Sequence, residues 1–76
     1  MTPTLTFVSL RQLRGARRLT QEDVAPAMET TQSAVSRIER QHDVKVSTLD
    51  AYVTATGGRL RLVAEYPDAE YEVFFA

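Results

Sequence analysis

The sequence predicts a mainly α domain of four to five helices closed by a C-terminal β-hairpin, and three features of its 76 residues predict it. As far as residue 56 the apolar positions recur every three or four residues, the spacing of a helix with one buried stripe. Helix-opening residues precede these stretches: Ser9, Thr20 and Ser47 are each followed three positions later by a side chain able to reach back, Gln12, Asp23 and Asp50. Gly57 and Gly58 then interrupt the helical period, and from Arg59 onward the alternation has a period of two.

Each element can be justified in turn. Residues 1 to 8 set Thr2, Pro3, Thr4 and Thr6 among Leu5, Phe7 and Val8, a pattern that suits an extended lead-in or an early helical turn. A first helix is expected over residues 10 to 18, with Leu10, Leu13 and Ala16 inward and Arg11, Arg14, Arg17 and Arg18 along it and at its exit, with no acid among them. A second helix follows Thr20, with Val24, Ala27 and Met28 inward. A third follows Thr30 or Thr31, with Val35 and Ile38 inward. After a loop over residues 41 to 46, a fourth runs from 47 to 56 with Leu49, Tyr52 and Val53 as its apolar positions. Leu60, Leu62, Ala64 and Tyr66 then alternate with Arg59, Arg61, Val63 and Glu65. Pro67, Asp68, Ala69 and Glu70 supply a turn, and Tyr71 to Phe75 are strand-like. A two-stranded hairpin is marginal alone, so this one must pack on the helices, pair with a second copy or receive another protein.

Residues 20 to 40 carry most of the functional information. Two short helices joined by a few polar residues read as a helix-turn-helix, whose second helix enters the major groove of DNA. The outer face of that helix is Gln32, Ser33, Ser36, Arg37 and Arg40, hydrogen-bonding side chains with no carboxylate, as reading base edges between two rows of phosphates requires. Gln32 can pair with adenine in two-bond fashion and Arg37 can reach a guanine one turn on. Ser33 and Ser36 are short enough to let the helix approach. Arg11, Arg17 and Arg18 are candidate phosphate contacts beside this unit, as are Arg40 and, from the loop, Lys45. Thr31 serves both as a cap and as a phosphate contact.

Composition bounds the alternatives. The 43% hydrophobic content supports one small domain with a marginal core, which dimerisation commonly supplements. With no cysteine there is neither a disulfide framework nor a thiolate metal site. His42 is the only histidine, beside Asp43 alone, so no metal or catalytic role is expected. No nucleophile, base and orienting group can be assembled and no glycine-rich phosphate loop exists; a non-enzyme without cofactor is expected. No apolar run is long enough to span a bilayer and no charged start is followed by an apolar stretch and cleavage site, so a cytoplasmic protein is expected. The net charge of −1 conceals segregation: residues 1 to 61 hold all nine basic residues against six acids, whereas residues 62 to 76 hold four acids and no base. The acidic tail is either a solubilising sheet edge or a partner-binding element.

The LRxLRxxRxLTQ run from Leu10 to Gln21, TQSAVSRIER from Thr31 to Arg40, and STLDAYVTATGGRLRLV from Ser47 to Val63 together resemble the Cro/C1-type (XRE-like) helix-turn-helix family, most of all antitoxins of the HigA and HipB kind. The resemblance covers about three quarters of the chain. It implies sequence-specific operator binding as a two-fold dimer, usually for repression, with base-reading side chains at Gln32, Ser33 and Arg37 and a phosphate-clamping glutamine at Gln21. It also implies a structural ion pair between Arg14 and Glu39. In the antitoxin case it implies a toxin partner, often an RNA-cleaving enzyme. Residues 1 to 58 are then the DNA-binding domain, and residues 59 to 76 a hairpin extension of it. That extension would dimerise through Leu60, Leu62, Ala64, Tyr66, Val73 and Phe75, setting the two reading helices about 34 Å apart. A stand-alone Cro-like repressor and a protein-binding module that does not use DNA are the alternatives. Two departures from the family pattern bear on the turn. Pro26 lacks the amide that would bond back to Glu22, so a kinked or shortened second helix is expected. Glu29 stands where the family usually has glycine, so the turn is either built differently or strained.

Overall fold

The computed structural model describes residues 8–74, which form four α-helices followed by one antiparallel hairpin: α1 Leu10–Ala16, α2 Gln21–Ala27, α3 Gln32–Arg40, α4 Val46–Ala55, β1 Val63–Tyr66 and β2 Ala69–Glu72. The expectation for residues 1 to 7 and the dimer-contact expectation for Phe75 fall outside the described residues.

Local sequence opens three of the helices. The Ser9 hydroxyl accepts from the Gln12 amide at 3.2 Å, and the Gln12 side chain accepts from the Ser9 amide at 2.9 Å. Thr20 and Asp23 repeat that reciprocal pair ahead of α2, and Thr31, rather than Thr30, caps α3 by accepting from the Ala34 amide. In α4 the expected Ser47–Asp50 cap is absent. The chain turns helical at Val46, behind an extended Lys45 that offers no side-chain cap, and Ser47 is already inside the first turn.

The ends of α1, α2 and α4 share one closure. In each, two successive amides fold back on the last turn, as when Thr30 bonds the Ala25 carbonyl at 2.9 Å and Glu29 that of Pro26 at 3.0 Å. The residue at the hinge must take positive φ: Gly57 at 91° does so at no steric cost, whereas Arg18 at 59° and Glu29 at 56° carry a Cβ into the left-handed region. Left-handed backbone at a residue with a Cβ costs about 1–2 kcal/mol, so Glu29 makes the closure that a glycine would make and retains its strain. This closure also ends α1 at Ala16, short of residue 18, and α2 ends one residue after Pro26.

The core is small. Val24, Ala25, Val35 and Tyr52 are buried, with Leu10, Leu19, Met28, Ile38 and Ala55 packed around them. Two expected inward positions are corrected. In α2 the buried pair is Val24 and Ala25, and Ala27 is exposed, because α2 is flanked by α3 and α4 and turns the 24–25–28 face to them. Ala16, the last residue of α1, is also exposed. The hairpin departs from its expected limits as well. β1 begins at Val63, and Pro67–Asp68 alone link the strands, so Ala69 and Glu70 belong to β2 and not to the turn. The register pairs Val63 with Glu72, Ala64 with Tyr71, Glu65 with Glu70 and Tyr66 with Ala69. Alternation therefore places Ala64, Tyr66, Ala69 and Tyr71 on one face, and Val63, Glu65, Glu70 and Glu72 on the other.

Candidate nucleic-acid interface

The outer side of α3 is polar, cationic and open. At about 100° per residue, Gln32, Ser36, Arg40, Ser33 and Arg37 occupy one continuous arc. Gln32, Ser33, Arg37 and Arg40 are exposed and Ser36 is half-buried, while Val35 on the opposite side is fully covered. The helix thus uses its apolar stripe to anchor in the core and leaves the remainder for contact.

Two shallow concavities flank this arc. On one side Gln32, Ser36 and Arg40 meet Ser9 and Arg11 from the start of α1 and Thr20, Gln21 and Glu22 from the start of α2. Ser33 joins Gln21, Gln32, Ser36 and Arg40 in a smaller hollow at the same place. On the other side Arg37 lies with Thr30, Gln41, Asp43, Lys45 and Thr48. The sequence-derived candidates therefore divide: Arg11 and Gln21 stand with Gln32, whereas Lys45 stands with Arg37. Arg17 and Arg18 are exposed where α1 ends and line neither concavity, and Thr31 is exposed at its capping position.

Behind the first concavity lies Glu39, whose side chain is only 3% exposed. Arg14 approaches it with Nε at 2.7 Å and Nη2 at 3.2 Å, Gln21 donates through Nε2 at 2.9 Å, and Tyr52 donates its hydroxyl at 2.6 Å. Arg14 spends a further donor, Nη1, on the Leu19 carbonyl at 3.0 Å, which ties the α1–α2 turn to the same cluster. Burial alone would raise the Glu39 pKa; the donors Arg14, Tyr52 and Gln21 outweigh it and hold the carboxyl at about 2, so the group is an anion at neutral pH. Donating its hydrogen bonds to Glu39 in turn holds the Arg14 pKa above its ordinary value, and burial, then the bond to Glu39, push the Tyr52 phenol up.

Sequence reasoning did not find the parts of Gln21 and Tyr52 in this cluster. Tyr52 was legible only as one member of an apolar stripe, although a buried tyrosine must place its hydroxyl somewhere, and that requirement was the available signal. Among the described residues no histidine and carboxylate group gathers in a metal-holding arrangement, and no helix is long and apolar enough to cross a membrane.

The hairpin presents a different surface. Tyr66 and Tyr71 pack edge to face with ring centres 5.8 Å apart, yet both are more than half exposed. Val63, Val73 and Phe74 are exposed as well, and Leu60, Leu62 and Ala64 are half-buried.

Comparison with known proteins places these features in context. The family described as "Helix-turn-helix domain" matches residues 8–65. Two curated proteins of Mycobacterium tuberculosis (strain ATCC 25618 / H37Rv) are similar: "Putative antitoxin HigA3", 42% identical over 55 residues, covering 70% of this chain and 50% of that protein, and "Putative antitoxin HigA2", 41% identical over 64 residues, covering 82% and 63%. The chain thus spans only half to somewhat under two thirds of the length of these relatives. Two solved structures align over nearly their whole lengths at 35% identity: "DNA bound antitoxin HigA3", with a TM-score of 0.87 over 95% of this chain and 96% of that one, and "Induced DNA bending by unique dimerization of HigA antitoxin", with a TM-score of 0.84 over 93% and 97%.

Proposed function

The chain belongs to the helix-turn-helix family, with HigA antitoxins among its relatives, and on that premise we propose that it is a sequence-specific DNA-binding repressor of HigA type that binds a palindromic operator as a homodimer. The observation that carries the reading is the outer arc of α3, exposed but for the half-buried Ser36 and free of carboxylates, on a helix whose inner side is fixed in the core. The likeness to one antitoxin solved bound to DNA and to another whose dimerisation bends DNA supports it.

In this reading Gln32, Ser33, Ser36 and Arg37 address base edges, while Arg11, Gln21 and Arg40 grip the phosphates on one side of the groove and Lys45 those on the other. Arg17, Arg18 and Thr31 add backbone contacts. Gln21 can do two things at once: one amide hydrogen is held by Glu39 and the other is left for a phosphate. Arg14 and Glu39 act structurally. Residues 59–76 extend the domain of residues 1–58 and join the two copies through Leu60, Leu62, Ala64, Tyr66 and Val73. The protein works in the cytoplasm, catalyses nothing, and represses its own operon while holding a toxin partner, as the antitoxin names of its relatives suggest.

The test is a titration against the promoter DNA upstream of its own gene, with random duplex as control, at two salt concentrations. Tight, sequence-dependent binding with two protomers per site is expected. Arg37→Ala should cost ~1–3 kcal/mol on the operator and relax one base preference, whereas Arg17→Ala should weaken all duplexes alike. Equal, weak binding to operator and random DNA would overturn the reading. A chain ending at Gly58 should run as a monomer by light scattering; a dimer with unchanged operator affinity would remove the hairpin from the interface.

A further inference from the structure

Tyr52 is the only fully buried aromatic side chain among the described residues, and its hydroxyl stands where three helices meet. It belongs to α4, yet its oxygen lies 2.6 Å from Glu39 Oε2 on α3 and 3.0 Å from the Leu10 carbonyl at the start of α1. One hydroxyl carries one proton, and the nearer, charged acceptor holds it. Glu39 therefore receives a donor from each of the other helices: Arg14 from α1, Gln21 from α2 and Tyr52 from α4.

The position of Glu39 gives this convergence a consequence. It follows Ser36 by three residues and precedes Arg40 by one, and with both it lines the concavity that Gln21 and Gln32 complete. A rotation of α3 that relaxed Glu39 would swing Ser36 and Arg40 in the same sense, and would release Gln21 from its hydrogen bond to Glu39. Tyr52 also lies on the helix that leads through Gly57 and Gly58 to the hairpin, so it links the orientation of α3 to the element assigned to dimer contact.

We propose that Tyr52, through its hydroxyl on Glu39, is a positioning residue for DNA recognition, fixing the seat of α3 and of Gln21 against the operator. It touches no DNA; it acts on discrimination and leaves the general attraction of phosphates unchanged. The proposal rests on the operator-binding reading above and refines it.

Tyr52→Phe keeps the ring and removes the hydroxyl. Each protein is titrated with operator and with scrambled duplex at two salt concentrations, well below its own melting temperature. The variant should bind operator about tenfold more weakly while its affinity for scrambled duplex and its salt dependence stay within about twofold of wild type, so that the ratio of the two affinities falls. Met28→Ala, which loosens packing against the same core without removing any hydrogen bond to Glu39, should keep the wild-type ratio. A Tyr52→Phe protein with an unchanged ratio, or a Met28→Ala protein that loses as much discrimination, overturns the proposal. Should Tyr52→Phe not fold in plain buffer, it and the wild type are both titrated in a stabilising osmolyte such as trimethylamine N-oxide, which restores the folded state without restoring the hydroxyl: a lowered ratio supports the proposal and a retained one removes it. If wild-type protein itself does not discriminate, the operator-binding reading fails and takes the proposal with it, an outcome distinct from loss of the proposal alone.

Discussion

Glu39 in the helical body and Glu72 in the hairpin are both glutamates paired with arginine, and their settings are opposite. Glu39 is 3% exposed and receives Arg14, Gln21 and Tyr52, with Arg14 itself only 14% exposed. Glu72 is 27% exposed and meets Arg61 at 2.9 Å and Arg59 at 3.6 Å, both largely in water. The first pair ties helices together from distant parts of the chain; the second fastens the base of a hairpin to the segment that leads into it. The difference teaches where geometry is fixed in this molecule and where it is left adjustable. An ion pair out of water must keep its partners, because a lone buried charge is costly, whereas an exposed pair is screened and replaceable.

The comparison is broken most directly at Arg14. Arg14→Ala leaves Glu39 with Gln21 and Tyr52 but no countercharge, and removing one member of a buried pair costs about 3–5 kcal/mol. Small domains have total stabilities of about 5–15 kcal/mol, so this single change should bring the protein near or past its unfolding point. Urea denaturation followed by circular dichroism measures it. A loss below about 1 kcal/mol would mean that the Glu39 cluster is no more binding than the Glu72 one.

Acid separates the two carboxylates without mutation. The folded Glu39 carboxyl titrates at about 2 against an ordinary 4.5, a depressed value, so its contribution is complete above the unfolded value and disappears as pH falls through the folded one. Stability should therefore decline between about pH 5 and pH 2 by up to about 3 kcal/mol. Asp23, held below its usual range by the backbone hydrogen bond at Thr20 and then by the Thr20 side chain, tilts the curve in the same direction. Urea midpoints across this range check the prediction, with Glu39→Gln flattening most of the slope; a Glu39→Gln protein with the wild-type slope would assign the acid sensitivity elsewhere.

The same contrast explains how much could be read from sequence. Local chemistry was legible: the Ser9–Gln12 and Thr20–Asp23 boxes, the stop at Gly57 and the change of period after it need only neighbouring residues, and they delimit the helices and hairpin to within a few positions. Glu29 was legible as a difficulty, and its positive φ resolves it in favour of retained strain. What escaped depends on packing. Ala25 is buried in place of Ala27 because two helices flank α2. Ser47 fails as a cap because the chain is already helical at Val46, and the run from Asp43 to Ser47, DVKVS, carries no local signal for so early an entry. Of the candidate site, the outer face of α3 could be named from residue types, but the division of its flanks between Arg11 with Gln21 and Arg37 with Lys45 is a property of the assembled helices.

The smallest expected effect sharpens the comparison from the hairpin side. Arg61→Ala removes the 2.9 Å contact to Glu72, but Arg59 remains at 3.6 Å and the carboxylate is already partly hydrated. Exposed pairs contribute about 0–1 kcal/mol, so the urea midpoint should move by no more than that, and less still in high salt. The hairpin must then be held mainly by its strand pairing and by the Val73 amide on the Leu62 carbonyl at 2.8 Å, while Tyr66, Tyr71 and Val73 stay exposed. A loss above about 2 kcal/mol for Arg61→Ala would reverse that ordering and make the hairpin base as fixed as the Glu39 cluster.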